Sequence, residues 1–145
     1  MAEFRRMRVE DLPRIYEIER LAFCDPWPDE AFSMMNGYHS YVALREGLLI
    51  GYIICLSALD ESSIANLAID PQFQRQGFGK ELLRFAMDEL ATQGIKRMFL
   101  DVRRGNLAAQ GLYEQFGFVH VGVRKGYYSD PPEDALVMMW TKVTE

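Results

Sequence analysis

The chain has 145 residues, 49% of them apolar and 26% charged, proportions that exclude both a disordered tail and a disulfide-stapled mini-domain. Sixteen Lys+Arg against twenty-one Asp+Glu leave a formal charge of −5. A duplex-binding protein carries a basic face, so no nucleic-acid partner is expected. At this length a single domain over 1–145 can bury roughly 70% of its unfolded surface.

In chain order, Phe4–Val9 alternates apolar and basic residues and predicts a short strand. Asp11 and Pro13 start a helix, as cap and early helical proline. Leu12, Ile15, Tyr16, Ile18 and Ala22 carry it to about Phe23. Asp25-Pro26-Trp27-Pro28 stops it, and Asp29–Met35 predicts a second short helix. Tyr41–Leu44 and Ile50–Leu59 read as a hairpin, followed by a strand at Ser63–Ile69 that Pro71 ends. Phe78, Leu82, Leu83, Ala86 and Leu90 form the stripe of a long helix closed at Gly94. Ile95–Arg103 is a strand, Asn106–Phe116 a helix capped by Asn106. Phe118–Tyr127 and Ala135–Val143 are strands around the polar loop Ser129–Asp134.

The longest apolar stretch, Gly47–Leu56, is half the ~20 residues a spanning helix needs, and no signal peptide is visible behind the first residues. Cys24 and Cys55 lie in apolar contexts without CxxC spacing, and His39 and His120 complete too small a set for a metal cluster. A cytoplasmic protein without metal or membrane partner is expected.

The segment Arg75–Lys80 stands between a strand and a helix, with glycines at 77 and 79. A helix start offers unpaired N–H groups and a positive dipole end, and glycine lets a bulky anion come close. Arg75 and Lys80 add charge at either edge, so a phosphate-bearing ligand suits the loop, against the plain alternative of a glycine-rich turn. A Walker A loop is excluded by Gln74 and Glu81, and a dinucleotide fingerprint by Leu82.

Gln74-Arg75-Gln76-Gly77-Phe78-Gly79, preceded by Asn66-Leu67-Ala68-Ile69-Asp70-Pro71, resembles the Q/R-x-x-G-x-G/A loop of the GNAT superfamily of N-acetyltransferases. Asn106-Leu107-Ala108-Ala109-Gln110-Gly111-Leu112-Tyr113-Glu114-Gln115-Phe116-Gly117-Phe118 is similar to the family's N-x-x-A-x-x-L-Y-x-x-x-G-F helix. Asp25-Pro26-Trp27 with Phe32, Leu100-Asp101-Val102-Arg103, and Gly126-Tyr127-Tyr128 before Glu133-Asp134-Ala135 and Met138 resemble the branch that acetylates protein N-termini, the ribosomal-protein alanine N-acetyltransferases among them.

The resemblance implies an α/β (α+β) fold with a mixed, mostly antiparallel sheet of about seven strands flanked by about four helices. It implies acetyl-CoA as cosubstrate: Arg75, Gln76, Gly77, Phe78, Gly79 and Lys80 at the pyrophosphate, the edge of Leu67, Ala68 and Ile69 along the pantetheine, and Asn106 as a further contact. It makes Asp101 the candidate base and Tyr113 the candidate acid. Tyr127 and Tyr128, with the acidic loop Asp130–Asp134, would flank the acceptor, and Trp27 would face them. Each has a plainer reading: core strand, helix cap, a carboxylate paired with Arg103, a packing tyrosine, a solvated hairpin tip, an aromatic cover.

An α-amine titrates near ~7.7–8.0 and a lysine amine near ~10.4, so deprotonating lysine near neutrality costs about three to four kcal/mol more. A modest carboxylate base, relayed by water because aspartate is short, therefore suits an N-terminal acceptor, and the resemblance implies that of a ribosomal protein. A small amine or lysine side chain as acceptor, and a CoA-binding regulatory module without turnover, are the alternatives. Oligomeric state is left open.

Overall fold

The computed structural model describes residues 2–23, 25–35, 39–129 and 131–142, with the side chains of 33–35 outside that description. The predicted fold class holds. Among these residues seven strands, β1 (Glu3–Arg6), β2 (Tyr41–Arg45), β3 (Leu48–Ala58), β4 (Glu61–Ile69), β5 (Arg97–Arg103), β6 (Val119–Ser129) and β7 (Pro132–Thr141), form one sheet. Their order is β1-β2-β3-β4-β5-β7-β6. Each neighbouring pair is antiparallel except β4–β5, which is parallel. Among the described residues four helices, α1 (Leu12–Ala22), α2 (Asp29–Met35), α3 (Phe78–Thr92) and α4 (Leu107–Gln115), join them.

The helices cover both faces. Phe78, Leu82, Leu83, Ala86 and Leu90 of α3 pack with Ile53, Ile64, Met98, Leu100 and Val102, while α4 adds Leu112 and Tyr113 at the margin. On the opposite face Leu12, Ile15 and Ile18 of α1 and Phe32 of α2 pack with Val42, Tyr52 and Ile54. β3 lies between both layers and is buried from Leu49 through Cys55, which explains the uninterrupted apolar run around it. Gly51 makes that position possible: a Cβ there would lie 2.4 Å from Ile69 Cδ1 and 2.8 Å from the Ala68 carbonyl.

Three local expectations are corrected. Asp11 makes no side-chain cap to α1; its carboxylate accepts from Arg5 Nη1 and Nη2 at 2.8 Å each and from the Arg8 N–H at 2.7 Å. The guanidinium outcompetes a neutral amide for a buried carboxylate. It holds the carboxyl below the usual range, against the opposing push of burial. β1 ends at Arg6, and Val9 begins a 3-10 turn. The polar loop after β6 is far shorter than its composition implies, because Ser129 pairs with Pro132 and Tyr128 with Glu133. Proline fits there at the first residue of the strand. Cys24, Asp130 and the end of the last predicted strand at Val143 lie outside the described residues.

One feature positions the site. β4 and β5 pair only from Glu61–Arg97 to Ile64–Leu100, yet β4 runs on to Ile69 and β5 to Arg103. Beyond Ile64 the two strands part, and the sheet opens.

Candidate active site

The parted strands border a cleft of about 750 Å³, whose walls include Glu19, Trp27, Leu67, Asp101, Asn106, Tyr113, Tyr127 and Tyr128. A smaller recess of about 380 Å³ shares Trp27, Asp101, Tyr127 and Tyr128 and adds Phe99 and Arg124. Seven of the residues singled out in the sequence thus meet around one opening. Ala68, Ile69 and residues 75–80 are not in its walls; they follow β4 away from it to the start of α3.

Strand alternation separates the two candidate catalytic groups. Met98, Leu100 and Val102 are buried toward α3 and α4, so Phe99, Asp101 and Arg103 point to the opposite face. Tyr113 belongs to the α3 side, its ring 5.9 Å from that of Phe118. Asp101 and Tyr113 therefore address the opening from opposite faces of the sheet.

Burial, then the nearby Tyr128, pushes the Tyr113 phenol up to about 12, so it stays a neutral donor throughout the physiological range. Asp101 accepts from Arg124 Nε at 3.0 Å, so its ion-pair partner is Arg124 of β6, not Arg103. Arg103 instead lies over the Tyr128 ring at 4.2 Å and bonds Glu133 Oε1 at 3.3 Å.

Tyr127 and Tyr128 stand edge to face, ring centroids 5.1 Å apart. Burial first, and the Asp101 charge next, push the Tyr128 phenol up to about 12. Glu133 and Asp134, the described acidic residues after them, are tied down. Glu133 Oε2 accepts the Gly105 N–H at 2.6 Å, and Asp134 accepts the Gly126 N–H at 2.8 Å and Arg104 Nη1 at 3.3 Å. Asn106 caps α4 through its Oδ1 on the Ala109 N–H at 3.1 Å and still lines the cleft.

The unpaired stretch of β4 offers a backbone edge. In place of a strand, the Leu67 N–H is held by Asn66 Oδ1 at 3.0 Å and the Ile69 carbonyl by Gln74 Nε2 at 2.9 Å. An extended ligand bearing amides can exchange for such local bonds. At the end of that edge Arg75 and Gly77 both have positive φ, 64° and 88°, and Gly77 is the N-cap of α3. Alternating handedness of this kind gathers successive N–H groups into an anion-binding concavity. Phe78 contributes only backbone there, since its ring is buried against Phe73.

Glu19 was not foreseen from the sequence. It is buried in α1 and accepts from the Tyr52 hydroxyl, from Asn66 Nδ2 at 2.7 Å and from the Trp27 N–H at 3.0 Å. Its signal was position: a charge seven residues after Leu12 and four after Ile15 lies on the apolar stripe of the helix.

Among the described residues no group of three or more His, Cys, Asp or Glu gathers as a metal site. No helix there is long and apolar enough to cross a membrane.

The comparisons with known proteins agree with this geometry. The family model described as the acetyltransferase (GNAT) family matches residues 12–118. The ribosomal protein bS18-alanine N-acetyltransferase of Escherichia coli K12 is 38% identical over 136 residues, covering 91% of this chain and 92% of that one. A Bacillus subtilis (strain 168) protein provisionally assigned the same activity is also 38% identical, covering 99% of this chain and 97% of its own. The crystal structure of the Escherichia coli ribosomal-protein-S18-alanine N-acetyltransferase superposes with a TM-score of 0.94 at 34% identity, over 100% of this chain and 96% of that one. With a matching loop, helix, sheet and relatives at this identity, the chain belongs to the GNAT family of acetyltransferases.

Proposed function

We propose that this acetyltransferase moves the acetyl group of acetyl-CoA to the α-amine of a protein N-terminus in the cytoplasm, and that its acceptor is the bS18 protein of the ribosome. The observation that carries the reading is the opening between β4 and β5, lined from one face by Tyr113 and from the other by Asp101, Trp27, Tyr127 and Tyr128. A thioester lying in that opening is reachable by an amine from one side and by a phenol from the other. The named activity of the relatives that span nearly the whole chain supports the acceptor class.

In this reading the Arg75–Lys80 turn and the α3 N-terminus receive the pyrophosphate. The edge at Leu67, Ala68 and Ile69 pairs with the pantetheine amides, and Asn106 flanks it. The acceptor's ammonium loses its proton, through water, toward Asp101. The amine lone pair forms the new C–N bond at the thioester carbon, the C–S bond breaks with its electron pair going to sulfur, and the nitrogen's second proton passes through water to the departing thiolate, leaving a neutral amide and CoA thiol.

Tyr113 donates its O–H to that sulfur. A thiol titrates near ~8.5, so full proton transfer from a phenol held near 12 is uphill by about 5 kcal/mol. Tyr113 thus acts chiefly as a hydrogen-bond donor to developing charge, an interaction of about 1.5–3 kcal/mol.

The test is a peptide library incubated with protein and isotope-labelled acetyl-CoA, read by mass spectrometry. Label is expected on the α-amine, with a preference at the first residue. Label confined to lysine side chains or polyamines, or binding of acetyl-CoA without thiol release for any acceptor, overturns the reading.

A further inference from the structure

Three carboxylates line the cleft, and they differ in what balances their charge. Asp101 has the Arg124 guanidinium at 3.0 Å. Asp25 is exposed to solvent. Glu19 is only 2% exposed, and all three of its hydrogen-bond donors, from Tyr52, Asn66 and Trp27, are neutral. Among the described residues it forms no ion pair. The nearby hairpin carboxylates do not share this condition, because Glu133 and Asp134 each have an arginine.

An ionised carboxylate buried beside neutral donors alone is costly unless a cation completes it. A carboxylate has about four acceptor positions. Oε1 accepts from Tyr52 and Asn66, and Oε2 from the Trp27 N–H, which leaves one position on Oε2. That oxygen lies beside Trp27, a wall of both cavities, and Asn66, bonded to the other oxygen, Oε1, ties the carboxylate to β4 where the strands part.

We infer that Glu19 Oε2 is the seat of the acceptor's α-ammonium: the missing cation of this carboxylate arrives with the substrate. This rests on the N-terminal reading above and deepens it by dividing the work between two carboxylates. Glu19 recognises the charged amine and holds it at the opening, and Asp101, already paired with Arg124, stands on the path its proton takes. The competing role is mechanical. Through the Trp27 N–H, Tyr52 and Asn66, Glu19 also fastens the segment after α1 to β3 and β4, and a pure clamp is indifferent to the charge of the ligand.

That difference is measurable with protein saturated in CoA, where no transfer occurs. Two probes are compared by calorimetry: an alanine-initiated hexapeptide, and the same peptide with a propionyl group in place of alanine, which has the same carbon skeleton but no amine. The wild-type protein is expected to bind the amine form at least about tenfold more tightly, as for a charge-assisted hydrogen bond in a dry site. Glu19→Gln is expected to lose at least about tenfold on the amine form and less than about twofold on the propionyl form. Glu19→Asp, which keeps the charge but retracts it by one methylene, is expected to show the same selective loss at about threefold or more, and decides the matter should the glutamine variant not fold. Equal binding of both probes by the wild type, or equal loss on both probes in the variants, overturns the assignment. If the wild type labels no α-amine in the library, the N-terminal reading falls and takes this with it. If it does label them while Glu19→Gln keeps the full preference for the amine, only the Glu19 assignment falls.

Discussion

The two faces of the sheet meet at one opening but are built from different materials. On the α3 side, the features that suit a ligand are backbone: the free edge at Leu67–Ile69, the positive φ values at Arg75 and Gly77, and the first turn of α3. The surrounding side chains are core, Phe78 included. On the α1 side the features are side chains: Glu19, Asp101, Arg124, Tyr127 and Tyr128, drawn from three separate elements. A face made of backbone accepts a ligand that recurs unchanged, such as a cofactor tail. A face made of side chains can change its acceptor by substitution while leaving the donor end intact.

The largest effect that probes this division is Tyr113→Phe. Loss of a donor to developing negative charge is expected to lower kcat by roughly 10–100-fold, while KM for acetyl-CoA stays within about twofold because the ring and its packing on Phe118 remain. Steady-state kinetics with both substrates varied would show it. A shift in acetyl-CoA KM with unchanged kcat would remove the catalytic role.

The dryness of the α3 side has its own signature. Burial pushes the Cys55 thiol from 9.0 up to about 12. Between those values the folded chain keeps a proton that the unfolded chain releases, so stability falls as pH rises from about 9. Below 9 there is no effect from this group. Denaturant unfolding from pH 8 to 11 is expected to show a declining limb that is shallower in Cys55→Ala.

The smallest effects separate backbone strain from ligand binding. Gly77→Ala meets no atom within 4 Å, so its cost is the left-handed φ alone, about 1–2 kcal/mol. It should also raise KM for acetyl-CoA and leave the acceptor KM unchanged. Leu59 is the mirror case: 99% exposed, with φ 57°, it opens the two-residue turn between β3 and β4. Leu59→Gly is expected to raise stability by about 1 kcal/mol with no kinetic change. Thermal melts alongside kinetics distinguish the two.

The same division explains what was legible in the sequence. The glycine turn, α3, α4 and the alternation of β5 are each written within a dozen or so residues, as turn chemistry, caps and periodicity, and each stands where it was expected. Asp101 and Tyr113 were legible as members of such local patterns. Their partners were not. Arg124 reaches Asp101 from β6 across β7, a placement fixed only by the strand order. Glu19 takes its donors from residues 27, 52 and 66, a convergence that no window of sequence contains. Asp11 shows the converse: a cap signal was present, but Arg5 in the neighbouring strand claimed the carboxylate.

The contact between Glu133 and the Gly105 N–H gives the aromatic wall and the tyrosine helix a common anchor. Gly105 lies two residues before α4, and Glu133 pairs across the hairpin with Tyr128. In the proposed mechanism, a change at this single carboxylate reaches the acceptor wall and Tyr113 together. On that reading, retuning of the hairpin for a new acceptor is expected to keep that tether or to lose turnover along with selectivity.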